Sequence, residues 1–289
     1  MFGITGSEDI AMELVILGSG GGPQPGAERG SPAVGIVHDG RLYVVDCGNG
    51  VARQVVSAGN RLRDLRGVFI THHHLDHNAD YGNLVALAWT AGLVEPVRTF
   101  GPPPTVAMTD EYVRLNRVDI EHREALGRPG LRSLFLPSDI EGDGVIFKER
   151  GLTVTAARVV HPPLDAYGYR FDTDDHSIVV SGDTAECDEI VHLAEGSDVL
   201  VHEAYSPGDL HLLTQGTNAS LERLLSHFDG AHTTAEEAGR IAALAGVRTL
   251  VLWHLIPRQG VAEHSWIEQA SRHFDGEVVV SRDLCKFTV

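Results

Sequence analysis

The stretch VFITHHHLDHNAD, residues 68–80, sets four histidines and an aspartate within six positions directly behind an apolar strand. Histidine supplies only 16 of the 289 residues, so this crowding stands far above background. In an extended segment alternate side chains point the same way, so His72 and His74 can converge on one point while His73 points elsewhere. Asp76 and His77 follow where the chain should swing into a helix, and they can serve a second point nearby. Imidazole and carboxylate are the donors that borderline cations such as zinc prefer. A solvated histidine-rich loop is the alternative, but the position behind a buried strand speaks against it.

Outward from this stretch, strands and helices interleave. MELVILG (12–18) and SPAVGIVHDGRLYVVDCG (31–48) carry β-branched runs, with Asp39-Gly40 as a hairpin turn. NLVALAWTAGL (83–93) has helical spacing, with Leu84, Leu87 and Ala88 on one face, and a further helical stretch follows from about Thr105 to Leu126. GLTVTAARVVH (151–161), HSIVVSGD (176–183) and DVLVHEA (198–204) read as strands, and VRTLVLWHLI (247–256) as a buried one. NASLERLLSHF (218–228) places Leu221, Leu224, Leu225 and Phe228 on one helical stripe, capped by Asn218. Thr234 and Glu237 open another helix as a capping box, closed at Gly246. No Ser/Gly linker or repeat interrupts the chain. It reads as one α/β domain, 12–289, behind a short N-terminal extension, 1–11.

Composition narrows the function classes. Cys47, Cys187 and Cys285 are odd in number and lack CxxC spacing, against a disulfide framework or a thiolate zinc site. A cytoplasmic location is the default expectation. No run of about 18 apolar residues exists, so no membrane span is expected. Twenty-three basic against 40 acidic residues give a net charge of −17, which disfavours nucleic acid as a partner in the absence of any basic run. GSGGGPQPG (18–26) fails as a phosphate loop, since Pro23 stands where the third glycine belongs. It reads as a flexible loop near the metal edge.

H-x-H-x-D-H behind an apolar strand resembles the metallo-β-lactamase superfamily. His161 in ARVVHPP, Asp183 in VVSGDTAE and His254 in LVLWHLIP match the family's remaining motifs in order. MELVILGSGGG and YVVDCGNG resemble its opening strands. The resemblance implies an αββα sandwich, two mixed β-sheets with helices on the outer faces and metals at one edge. It also implies two cations: His72, His74 and His161 around one, Asp76, His77 and His254 around the other, and Asp183 between them. Zinc is the family's usual metal, while iron and manganese suit the same donors. A water shared by two cations is acidified to a hydroxide, and that hydroxide is the expected nucleophile.

Two further segments resemble the branch that contains tRNase Z: DVLVHEAY, with Glu203, and AHTTAEEAGR, with His232. There Glu203 would orient His232, and His232 would protonate the leaving oxygen, so Asp76, Glu203 and His232 are the catalytic candidates. Short bacterial tRNase Z enzymes carry a tRNA-gripping arm between the third ligand and the bridging aspartate. The 21 residues between His161 and Asp183 are too few for one. Residues 204–231 instead form an expanded segment, a candidate lid, in the manner of arylsulfatase-type members. The leading expectation is therefore a dinuclear zinc hydrolase of a small ester: a sulfate ester, phosphodiester, carboxylic ester or lactone. The alternative is a tRNase Z-like endoribonuclease acting on RNA 3′ ends. Tyr205 and Arg258 are the candidate substrate contacts. Homodimers are common among such proteins, though nothing in the sequence requires one.

Overall fold

The computed structural model describes residues 11–26, 28–214 and 220–289. The first half of the chain builds β1 (Glu13–Gly18), β2 (Ala33–His38), β3 (Arg41–Val45), β4 (Leu65–Phe69), β5 (Val97–Gly101) and β6 (Phe135–Asp139). The second half builds β7 (Gly144–Glu149), β8 (Leu152–His161), β9 (Leu164–Asp172), β10 (Ser177–Val180), β11 (Val199–Tyr205), β12 (Thr249–Ile256) and β13 (Glu277–Val280). A last strand, β14 (Lys286–Thr288), returns to the first sheet. Among the described residues the result is two seven-stranded sheets, ordered β14-β1-β2-β3-β4-β5-β6 and β13-β12-β11-β10-β9-β8-β7. In each, pairing is antiparallel on one side and parallel on the other, parallel from β3 to β6 and from β10 to β13. This is the expected α/β sandwich.

Three apolar layers hold it. Leu14, Ile16, Val45, Phe69, Tyr169, Phe171, Val180, Val201 and Trp253 fill the space between the sheets. Val15, Leu17, Val44 and Val68 point the other way, against α1 (Val51–Ser57) and α3 (Tyr81–Thr90), which flank the short α2 (Leu75–Asn78). Strands buried on both faces must be apolar at every position, which is why β1 and β12 read as continuous runs rather than alternations. On the other outer face α6 (Asp188–Ala194), α8 (Ala235–Ala245) and α9 (Glu263–Ala270) cover Leu200, Leu250 and Leu252.

Several local expectations hold and others shift. Asp39 and Gly40 both take positive φ, as a tight hairpin turn requires. The Thr234–Glu237 capping box forms, and Gly246 closes α8 in the left-handed region. The helical stretch after Pro104 divides at Asn116 into α4 (Thr105–Leu115) and α5 (Arg117–Ala125). Leu87 is 46% exposed, off the buried face that Leu84 and Ala88 share. The helix at 221, α7 (Leu221–Ala231), has Ser220 at its cap position; Asn218 lies outside the described residues, as do 1–10 of the expected extension. Its apolar stripe is covered only toward its end: Phe228 is buried, whereas Leu221 and Leu225 are 39% and 40% exposed. The physical reason is that the small cluster of Tyr205, Leu210 and Ile256 takes in Phe228 and part of Leu224 but does not extend over Leu221 and Leu225. Among the described residues no helix is long and apolar enough to cross a membrane.

The sheets are also stitched by polar contacts where the histidine stretch begins. The Tyr169 hydroxyl donates to the Ile70 carbonyl at 2.6 Å, and the Tyr167 amide to the Thr71 carbonyl at 3.0 Å. Phe69, one position earlier, meets Phe100, Phe147, Tyr169 and Phe171 at ring centroid distances of 5.1–6.0 Å. Phe69→Ala should therefore cost about 3–5 kcal/mol in urea unfolding, and Phe69→Leu clearly less. An alanine variant as stable as the parent would show that this cluster does not carry the sandwich.

Candidate metal centre

Open α/β sheets place sites beyond the carboxyl ends of their parallel strands, and here both sheets do so at one edge. β4 ends at Phe69, and residues 71–74 run on extended until α2 begins at Leu75. His72 and His74 thus fall on one side. His73 turns away, donating through Nε2 to the Pro102 carbonyl at 2.8 Å and accepting from Asn78 at 3.0 Å. Asp76 and His77 occupy the first turn of α2. From the second sheet come His161 at the end of β8, Asp183 after β10, Glu203 on β11 and His254 on β12. Gly182, between Val180 and Asp183, has φ 65°, and a Cβ there would lie 2.9 Å from both the Thr71 side chain and the Tyr167 carbonyl. Only glycine lets the two sheet edges approach this closely.

The hydrogen bonds assign the imidazole tautomers. The Thr71 hydroxyl donates to Asp46 at 2.9 Å, so it accepts from His72 Nδ1 at 3.0 Å. His77 Nδ1 donates to Asp46 at 2.7 Å, and His161 Nδ1 to the Ala231 carbonyl at 2.7 Å. The Nε2 lone pairs of His72, His77 and His161 therefore all face inward. There His74 Nδ1 lies 3.0 Å from His72 Nε2 and 3.2 Å from His161 Nε2. His77 Nε2 lies 3.1 Å from His254 Nε2 and 3.4 Å from Asp183. Asp183 Oδ1 is buried with no hydrogen-bond partner. Donor atoms of His72, His74, His161 and Asp183 form one group, those of Asp76, His77 and His254 a second, each within 4.8 Å of one another. Converging lone pairs and an orphaned carboxylate oxygen are costly to bury unless a cation sits among them. The donor set fits a pair of divalent metals.

The electrostatics agree. Burial disfavours charge on Asp183 and Asp76, yet His254 and His77 hold the first, and His77 and His254 the second, well below the usual carboxylate range. Burial likewise opposes charge on His77, but Asp183, Asp46 and Asp76 together push it well up. Burial brings His161 down to about 4. The centre is thus a buried, carboxylate-rich cage.

Glu203 and His232 adjoin the cage: with Asp183 and His254 they make a third group whose donor atoms lie within 4.8 Å of one another. Glu203 is fully buried and accepts from the Thr184 amide at 2.6 Å and from His232 Nδ1 at 2.8 and 3.1 Å. His232 follows α7 directly, with the Phe228 ring 4.6 Å from its own. Burial and the Asp183 charge raise Glu203, and burial lowers His232; positive charge in the cage would draw Glu203 back toward the carboxylate.

The remaining candidates sit less centrally. Tyr205 is buried in the small apolar cluster with Leu210, Phe228 and Ile256. Arg258 spends its guanidinium on backbone carbonyls of Gly21 at 2.8 Å, Arg29 at 3.2 Å and Gly22. It thereby ties down the glycine loop, which is hydrogen-bonded to β12 rather than free: the Gly21 amide donates to Leu255 at 3.2 Å. A Cβ at Gly21 would meet His254 Nδ1 at 2.5 Å, so the loop's glycines serve close backbone approach. Sequence reasoning passed over Asp46, which holds Thr71 and His77; its only signal was an acid ending an apolar strand in YVVDCGNG. It also passed over His227, exposed on α7, whose ring lies 5.6 Å from that of His232.

Comparison with known proteins now bears on these observations. The family model described as Beta-lactamase superfamily domain matches residues 41–255. Ribonuclease Z of Mycobacterium bovis (strain BCG / Pasteur 1173P2) is 30% identical over 287 residues, covering 96% of this chain and 98% of that protein. Among solved structures, the metallo-beta-lactamase fold protein YhfI from Bacillus subtilis superposes with a TM-score of 0.71 at 23% identity, over 96% of this chain and 100% of that one. The short form of human tRNase Z (ELAC1) also reaches 0.71, at 19% identity over 95% and 98%. Two expectations are corrected. The arylsulfatase-type assignment finds no support. The view that nucleic acid is disfavoured as a partner is overturned by full-length relatives named Ribonuclease Z. Net charge misled because it sums over the whole chain and does not say where the charges lie; Asp46, Asp76, Asp183 and Glu203, for instance, are buried at the cage. With its sandwich, its cage of imidazoles and carboxylates and these relatives in accord, the chain belongs to the metallo-β-lactamase superfamily of metal-dependent hydrolases, and the tRNase Z-like branch is where it fits.

Proposed function

We propose that this protein is a zinc-dependent phosphodiesterase of the tRNase Z type, cutting RNA near a 3′ end. The observation that carries the reading is the Glu203–His232 pair placed against the cage: a carboxylate fixing one imidazole nitrogen leaves the other free to protonate a departing oxygen. Full-length similarity to Ribonuclease Z supports the choice of a phosphodiester over other esters. A cytoplasmic location agrees with it.

In this reading His72, His74 and His161 would hold one zinc, and Asp76, His77 and His254 the other, with Asp183 available to both. A bound metal pair would supply an acidified water as nucleophile and positive charge against the phosphoryl oxygen. The chain's own residues do the rest. Asp46 and Thr71 lock His77 and His72 in the tautomers that turn Nε2 inward. Asp183 and Asp76 contribute the negative charge that makes the cage a cation site. Glu203 holds the Nδ1 proton of His232, so that His232 delivers a proton from Nε2 to the leaving 3′ oxygen. Tyr205 and Phe228 pack together beside His232 and give this side of the site an apolar wall. The interval from His161 to Asp183 is filled by β9 and β10, so a gripping arm has no place there.

The deciding assay offers the metal-loaded protein a precursor tRNA beside chromogenic aryl sulfate, aryl acetate and lactone. Cleavage of the precursor at its 3′ side is expected; turnover of an aryl ester with the precursor intact would reverse the reading. His232→Ala should lower kcat by about 10²–10⁴-fold at unchanged metal content. Loss of metal from that variant would make His232 a ligand or a support instead. Asp183→Ala should lose metal from both positions, measured by elemental analysis, and retention of two equivalents would refute its shared role.

A further inference from the structure

An RNA strand approaching a chain of net charge −17 needs positive charge where it enters, and the interval that holds a gripping arm elsewhere is occupied here by strands. α7 carries two acids and one cation, Glu222, Asp229 and Arg223, but it sorts them onto different sides. At about 100° per residue, Arg223 and His227 stand one turn apart on the same side of the helix. Leu224 and Phe228 turn inward beside them, and the acids Glu222 and Asp229 fall together on the far flank. Both Arg223 and His227 are exposed, and among the described residues Arg223 has no carboxylate partner. The helix is not adrift: its last carbonyl, Ala231, takes the His161 Nδ1 proton at 2.7 Å, which fixes the row relative to the cage. Its inner member, His227, has its ring centroid 5.6 Å from that of His232.

We infer that Arg223 and His227 form a contact row for the sugar–phosphate backbone of an RNA strand leading away from the metal centre. His227 meets the phosphate beside the scissile one, and Arg223 the backbone about 6 Å farther out along the helix. The inference rests on the phosphodiesterase reading above. Its chemistry is direct: a guanidinium fork matches a phosphate in two hydrogen bonds, and a neutral imidazole offers one N–H in either tautomer. The row is invisible as a basic run because its members are four residues apart with an acid beside the first.

The test uses the full-length, metal-loaded protein and precursor tRNA, with KM followed through a salt titration. Arg223→Gln should raise KM about 3–10-fold and flatten the log–log salt dependence by about one unit, and Arg223→Glu should raise KM further. Arg223→Lys should keep the parent's slope, which a purely structural role would not predict. His227→Ala should raise KM more than it lowers kcat. If the parent protein leaves precursor tRNA intact, the phosphodiesterase reading falls and the row with it. If the parent cleaves the precursor while Arg223→Gln and His227→Ala keep its KM and salt slope, the row alone is wrong.

Discussion

The buried Asp46 carboxylate is the constraint on which the metal centre depends. It accepts from the Thr71 amide, the Thr71 hydroxyl and His77 Nδ1, all within 3.1 Å. Charge-assisted bonds of this kind are worth about 1.5–3 kcal/mol each, but their larger effect is geometric. Through Thr71 the carboxylate sets the tautomer of His72, and directly it sets that of His77. One side chain at the end of β3 thereby aims one imidazole at each of the two groups of donors.

The cage so built is electrostatically unfinished by protein alone. Inward lone pairs, an unpartnered Asp183 oxygen and buried carboxylates are tolerable only with positive charge among them. Metal binding and the order of this edge are therefore one equilibrium. The packing beneath supplies the counterweight: Phe69 and its aromatic neighbours, and the Tyr169 and Tyr167 bonds to residues 70 and 71, hold the backbone on which the histidines are mounted. The opposite sheet closes the cage through Gly182, whose missing side chain lets Asp183 approach.

The acid–imidazole pair that adjoins the cage is assembled from two different elements. Glu203 is fixed by the parallel pairing of β11 with β10 and β12, whereas His232 arrives on the far end of α7. Their contact joins α7 to the sheet, and the same helix end pins His161. A single helix thus touches the metal cage, His232 and the solvent, and the proposed RNA contacts fall on its outer face.

Spacing along the chain determined much of this by itself. The H-x-H-x-D-H stretch, the strand-ending His161, Asp183 and His254, and the capping box of α8 were legible because each is a local pattern whose period or cap chemistry needs no neighbour. The αββα sandwich followed from their family resemblance. What the sequence could not express was anything carried by contact between distant segments. Asp46 is 25 residues from Thr71 and 31 from His77, and looks like an ordinary strand-end acid until the sheet brings them together. The glycine loop looked free because its partners, Leu255 and Arg258, lie more than 200 residues away. Net charge, too, is a sum over the chain. Only the tertiary structure decided which acids are buried around a cation site and which cations face outward, since that division depends on where the folded surface falls.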